Sequence, residues 1–173
     1  MRQKVYILSR VELGPEDPDF KEVVSPLEAR RMGRLLKRAV WCSTKALQQA
    51  GVAVPDAVIT ATDYGCMENS EAFLEGVLEW EGAAMRPVHF MQSTYNTIGS
   101  LIAIRLGCHG YNATYSHAGY SFQSALRDAL MQLRLGEAET VLVGWYDERT
   151  PRMDAAGLPG SAHALALVLS LHP

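Results

Sequence analysis

Tyr111-Asn112-Ala113-Thr114-Tyr115-Ser116-His117-Ala118-Gly119-Tyr120-Ser121 is the stretch on which the reading of this chain turns. The run up to His117 reads as a short buried strand, with Asn112–His117 as the strand proper. From Phe122 to Leu135, Phe122, Ala125, Leu126, Ala129, Leu130 and Leu133 recur on one face, which predicts an amphipathic helix. Gly136 closes that helix. Strand, tight turn and helix form an elbow that presents one side chain at a helix N-terminus. Backbone N–H groups and the helix dipole there stabilise a thiolate or an oxyanion. The residue at the tip is Gly119. The elbow is kept and the reactive atom is absent, which points to a catalytic scaffold put to another use.

Outward from the elbow, Thr140-Val141-Leu142-Val143-Gly144 is a continuous apolar run, the mark of a strand buried on both faces. Arg149–Gly160 reads as a loop and Ala164–Leu169 as a last strand. On the other side, Gly107–Gly110 is a turn, preceded by a helix over about Gln92–Leu106. Its small residues Thr97, Gly99, Ser100 and Ala103 let another backbone come close. Gly82 and Pro87 act as breakers before it, and Asn69 or Ser70 caps a short helix through Leu78. Ala57–Thr62 is a strand that ends at Asp63-Tyr64-Gly65. Ser25-Pro26-Leu27-Glu28 opens a helix with a capping box and a proline at its first position; Gly51 ends it. Val5–Val11 is the first strand, followed by the breaker-rich loop Gly14–Asp19. The order β-α-β-α-α-β-α-β-β predicts one α/β domain over residues 1–173. Its sheet is five-stranded, mixed and mostly parallel, with an antiparallel last strand and helices on both faces.

Composition narrows the function classes. The chain has 173 residues, 48% of them hydrophobic and 20% charged, as in ordinary globular domains. The net charge of −3 does not point to nucleic acid or to a membrane surface. No apolar run reaches the length of a membrane span, and the apolar part of the N-terminus is too short for a signal peptide. Cys42, Cys66 and Cys108 are far apart and odd in number, so reduced thiols in a cytoplasmic protein are expected. The histidines are scattered without zinc spacing, and no metal site or cofactor is expected. The first long helix carries Arg30, Arg31, Arg34, Lys37, Arg38 and Lys45 on one face. That stripe is read as a solvated face or as a landing site for an acidic partner.

The landmarks also fall in a familiar order. Thr62-Asp63-Tyr64-Gly65-Cys66-Met67-Glu68-Asn69-Ser70 is followed by Pro87, Asn96 and Gly107-x-x-Gly110, then the strand, the elbow and its helix. Gly136-Glu137-Ala138-Glu139-Thr140-Val141-Leu142-Val143-Gly144 comes last. From Val5 to Leu169 the chain resembles the N-terminal half of the β-ketoacyl synthases, which have the thiolase fold. Counting back from Gly136, the position of that family's nucleophilic cysteine falls on Gly119. The family's two catalytic histidines and lysine belong to a C-terminal half, and His117, His163 and His172 do not match them. The resemblance therefore implies no condensation by this chain alone. It is nearest the chain-length factors, which pair with an active synthase in bacterial type II polyketide and aryl-polyene pathways.

That resemblance implies a heterodimer with a full-length β-ketoacyl synthase, joined along the strand Asn112–His117, with Asn112, Thr114 and Ser116 at the interface. The preceding helix would line the end of the partner's acyl tunnel, making Thr94, Tyr95, Thr97, Ile98 and Leu101 candidates to set its depth. Each also reads as ordinary packing. A lone half is expected to leave the Phe122–Leu133 helix facing water unless a large interface covers it. Two rivals stand beside this reading. One is a thioester hydrolase or decarboxylase in which Ser116, Ser121 or His117 replaces the cysteine, with Asp63, Asp147 and Glu148 at strand ends; those carboxylates read more simply as solvated loop groups. No G-x-S-x-G is present, and Ser121 is expected to cap the helix. The other is a docking module for acidic acyl carrier proteins, using Arg30, Arg31, Arg34, Lys37 and Arg38.

Overall fold

A computed structural model describes residues 3–79 and 86–173. The breaker Gly82 lies outside the described residues. The strands are β1 (Tyr6–Glu12), β2 (Ala57–Ala61), β3 (Tyr111–Tyr115), β4 (Thr140–Asp147) and β5 (His163–Ser170). They form one five-stranded sheet in the order β1-β5-β4-β2-β3. β2 runs parallel to both β3 and β4, and β5 runs antiparallel to β4 and β1. The sheet is thus mixed and mostly parallel, with the antiparallel last strand inserted between β1 and β4. β3 sits at an edge, bonded only to β2. It is half-exposed, not buried as the sequence reading has it, because the sheet ends there.

Two helices cover one face of the sheet, α2 (Arg34–Ala50) and α5 (Thr97–Leu106). They bury Leu35, Leu36, Ala39, Ala46, Ile98 and Ile102 against Val58, Leu142, Tyr146, Ala166 and Val168. The other face carries α6 (Ser121–Leu135), whose Ala125, Ala129 and Leu133 meet Ile59, Val141, Val143 and their neighbours. Helices on both faces are as the element order predicts. The small residues of α5 have the expected purpose: a Cβ on Gly99 would stand 2.9 Å from Thr60 Oγ1. α5 therefore lies flush against β2 and β3.

The helix expected to run from Pro26 to Ala50 is broken. A short α1 (Pro26–Ala29) keeps the capping box of Ser25 and Glu28, and α2 starts afresh at Arg34. The break is tertiary in origin. A Cβ on Gly33 would stand 2.8 Å from Asn69 Nδ2, on α3 (Met67–Leu78), and Gly33 N donates to Gln92 Oε1 at 3.1 Å. The helix expected over Gln92–Leu106 is likewise split, into α4 (Pro87–Ser93) and α5. Thr97 Oγ1 donates to Met91 O at 2.9 Å and bonds Thr94 Oγ1 at 2.7 Å, so hydroxyls take up groups that a helix would use. Within the loop Arg149–Gly160 the chain adds one more turn, α7 (Pro151–Ala155), capped by Thr150.

Candidate functional site

The elbow forms where the sequence places it. After β3 the chain turns at Ala118 (φ 31) and Gly119 (φ 83), and Tyr120 N donates to His117 O at 2.7 Å. α6 begins at Ser121. A left-handed backbone at Gly119 suits glycine, and nothing lies within 4 Å of where its Cβ would be. The tip faces a cavity of about 460 Å³ lined by Asp63, Tyr64, Ser116, Ala118, Gly119, Pro159 and Gly160.

The candidate replacements for a nucleophile are committed elsewhere. Ser121 is buried, and its hydroxyl accepts from His117 N at 2.8 Å and donates to the Asp63 carboxylate. It therefore closes the elbow from within and does not cap the helix as expected; Tyr120 holds the N-cap position. Ser116 Oγ donates to Asp63 O at 3.4 Å. The exposed His117 ring lies beside Tyr120, with centroids 6.0 Å apart. Among the described residues no hydrogen bond joins the His117 ring to either serine, so no nucleophile–base pair is assembled.

The strand-end carboxylates organise the same end of the sheet. Asp147, at the end of β4, accepts from Thr62 Oγ1 at 2.7 Å and from the N–H groups of Asp63 and Tyr64 at 3.0 Å. Trp145 Nε1 adds a fifth donor group at 3.2 Å, beside Gly65 N at 3.4 Å. Burial raises the Asp147 carboxyl above the usual range, against the pull of those backbone bonds. Glu148 accepts from Glu68 N at 2.7 Å, at the start of α3. Burial pushes its carboxyl up to about 7, helped by the negative charges of Glu68 and Glu71. These groups are a clamp on the exit loop of β2. Sequence position marks them as strand-end acids, and the reading as solvated loop groups is corrected: Asp147 is buried and Glu148 half-buried, both holding backbone N–H groups.

The residues proposed for a tunnel fall into different places. Thr94, Thr97 and Leu101 line an apolar groove of about 620 Å³ with Met32, Met91 and Ile104. Ile98 does not reach it: only 2% exposed, it packs in the core beneath α5. Helical geometry turns it away from Thr97 and Leu101. Tyr95 is half-exposed and lies against Gly65, with a ring carbon 3.0 Å from the position of a Cβ there. On β3, Asn112 donates to Gly99 O at 3.1 Å, and Thr114 Oγ1 bonds Thr60 Oγ1 at 2.8 Å. Both side chains serve the packing of α5 and β2.

The basic stripe is largely consumed by the chain itself. Arg34 Nε donates to Asp17 Oδ2 at 2.8 Å, and Arg38 Nη1 donates to Asp17 Oδ1 at 2.5 Å. Their remaining donors reach the carbonyls of Pro15 and Gly14. Burial raises the Asp17 carboxyl, but the bonds from Arg34 and Arg38 outweigh it and hold the group below its usual range. Lys45 pairs with Glu22 at 2.7 Å, and Lys37 lies over the Phe20 ring. The expectation that Arg34, Lys37 and Arg38 are open to a partner is corrected for Arg38, which is buried; Arg34 is exposed but paired with Asp17, and Lys37 is half-buried over Phe20. Arg30 and Arg31 stay exposed. Among the described residues, no three metal-ligating side chains gather into a site, and no helix is long and apolar enough to cross a membrane.

Comparison with known proteins places this geometry. The family model described as "Beta-ketoacyl synthase, N-terminal domain" matches residues 9–173. The chain belongs to the β-ketoacyl synthase family. Among solved structures, this synthase domain is similar to a chain of the ketosynthase ApeO in complex with its chain length factor ApeC from Xenorhabdus doucetiae. That likeness has a TM-score of 0.77 at 20% identity and covers 96% of this chain and 78% of the other. A second similar structure is the type II PKS complex AntDE:AntF, acyl carrier protein with its ketosynthase bound to the hexaketide. Its TM-score is 0.82 at 14% identity, over 98% of this chain and 64% of that one. A third is the ishigamide ketosynthase/chain length factor, with a TM-score of 0.73 at 20% identity, over 88% and 48%. At these identities the likeness is one of fold. The synthase domain spans between about half and about four fifths of those chains' lengths. No curated protein sequence matches it.

Proposed function

We propose that this synthase domain is a non-condensing subunit of the chain-length-factor type. It pairs with a full-length, active β-ketoacyl-ACP synthase in polyketide, aryl-polyene or fatty-acid-like biosynthesis and helps to shape the acyl tunnel. The observation that carries the reading is the intact elbow with Gly119 at its tip, where Ser121 is already bonded to Asp63. The free edge of β3 supports the pairing, since an unpaired strand edge is a template for a second chain. Ketosynthases with chain length factors among the similar structures support the kind of partner. The groove lined by Thr94, Thr97 and Leu101 supports the tunnel role, because an apolar chain grows until it meets a side chain it cannot displace. A cytoplasmic location goes with this reading, in keeping with free Cys42, Cys66 and Cys108.

Co-expression with a candidate ketosynthase tests the pairing. A stoichiometric complex is expected, and a stable monomer that binds no synthase would falsify it. Leu101→Ala should lengthen the product of the complex without weakening it; identical product lengths for Leu101→Ala and Thr97→Ala sink the tunnel role. Carrier-protein docking rests on Arg30 and Arg31, the exposed cations of the stripe that form no ion pair among the described residues. Arg30→Glu with Arg31→Glu is expected to weaken binding of an acidic carrier protein, and unchanged binding removes that role.

A further inference from the structure

We propose that Asp63 is the elbow's own anion: its carboxylate occupies the N-terminal end of α6, where a condensing synthase carries a reactive thiolate, and so closes the turn to nucleophile chemistry independently of the missing cysteine. The proposal rests on reading Gly119 as the nucleophile position. Asp63 Oδ1 accepts from Gly119 N at 3.1 Å and from the hydroxyl of Ser121. Ser121 Oγ in turn accepts from His117 N at 2.8 Å, and Ser116 Oγ reaches Asp63 O at 3.4 Å. Three of these bonds link the exit of β2 to the turn after β3, and the fourth, from His117 N to Ser121, closes the turn on itself. Asp63 is itself held from behind, because its N–H donates to both carboxylate oxygens of Asp147 at 3.0 Å.

The electrostatic consequence is direct. A helix N-terminus favours one anion through its free N–H groups and dipole. At this elbow the Gly119 N–H, one residue before the N-cap Tyr120, already donates to the Asp63 carboxylate, as does the hydroxyl of Ser121 at the first helical position. A thiolate formed at position 119 would stand beside that charge and be repelled at short range. An oxyanion would find the Gly119 N–H engaged, so the donor geometry that acyl transfer needs is spent on a structural bond. The latch keeps the elbow in shape while removing the electrostatic reason for having one.

Thiol reactivity tests this. Space exists for the probe, since nothing lies within 4 Å of a Cβ at Gly119 and the tip faces the cavity beside Asp63. Gly119→Cys and Gly119→Cys/Asp63→Asn are alkylated with iodoacetamide between about pH 6 and 10 and mapped by peptide mass spectrometry. Burial pushes the Cys42 and Cys66 thiols up to about 12, so they stay silent, and mapping separates Cys108. In the single variant the introduced thiol should titrate above the free-cysteine range of about 8.5. Alkylation at pH 7 should be at least about tenfold faster in the double variant. Equal rates, or a thiol more acidic than free cysteine in the single variant, overturn the proposal. If circular dichroism shows that either variant does not fold, the wild-type chain carries the test. Its Gly119 amide proton, followed by NMR, should move when the wild-type chain is acidified and stay in place in Asp63→Asn. That control separates Asp63 from the nearby Asp147, His117, Tyr64 and Tyr120. A Gly119 amide that does not move in the wild type overturns the proposal. These readings use the chain alone, so they hold or fail whether or not a ketosynthase co-purifies.

Discussion

The two faces of the sheet are built to different standards of closure. Under α2 and α5, long side chains such as Leu35, Leu36, Ile98 and Ile102 are almost fully buried. On the other face α6 itself contributes only two alanines and Leu133 as fully buried apolar side chains over Ile59, Val141 and Val143, while its Phe122 and Leu126 are only partly covered. Phe122 stacks on Trp145 at 5.2 Å, and Trp145 on His163 at 3.6 Å, in a half-buried row beyond the helix. Met131 and Leu135, further along α6, are 52% and 67% exposed. One face is a core completed by this chain. The other is a layer whose helix leaves apolar side chains open to solvent.

Energetics can break this comparison. Leu35→Ala removes a sealed side chain and should cost about 2–5 kcal/mol in urea unfolding. If Leu126→Ala costs as much, the α6 face is sealed in the isolated chain and the contrast fails. Next comes the rim of the closed face. Glu148 has an ordinary value of 4.5 and a folded value of about 7. Its folded pKa is raised, so its contribution is fully present below about pH 4.5 and is lost as pH rises through about 7. Glu148→Gln should therefore stabilise the chain above pH 7 by roughly 1–3 kcal/mol, and match wild type near pH 4. Denaturation series at the two pH values check this, and a variant no more stable at high pH refutes it. Leu126→Ala should cost about 1 kcal/mol or less, since the side chain already meets solvent. Leu135→Ser should leave the isolated chain within about 0.5 kcal/mol of wild type. A clear loss of thermal stability there would mean that the tip of α6 is packed, not open.

Much of the fold is legible because it is periodic. The helix after Gly119 shows its apolar face at a spacing of three and four, and Thr140–Gly144 shows a continuous apolar run. Both elements form where that pattern lies. The misreadings share a different cause. Arg30-Arg31-Met32-Gly33 fits a helix by composition, and is interrupted by Gln92 and Asn69 from distant segments. Arg34 and Arg38 look like a surface stripe, yet Asp17 and the carbonyls of the 14–17 loop take them up. β3 reads as buried from its tyrosines, Thr114 and Ala113, while edge or centre depends on where the sheet stops.

By itself the sequence determined the order of elements, the elbow and the glycine at its tip. These follow from local rules: hydrophobic spacing, capping chemistry and the left-handed backbone that glycine permits. Only the tertiary structure decided which charges are available, which tunnel candidates reach the groove and what stands at the head of α6. Asp63 and Gly119 are 56 residues apart, and their bond exists because β2 and β3 run side by side and end together. Such contacts leave no period in a sequence, since they depend on which strands become neighbours.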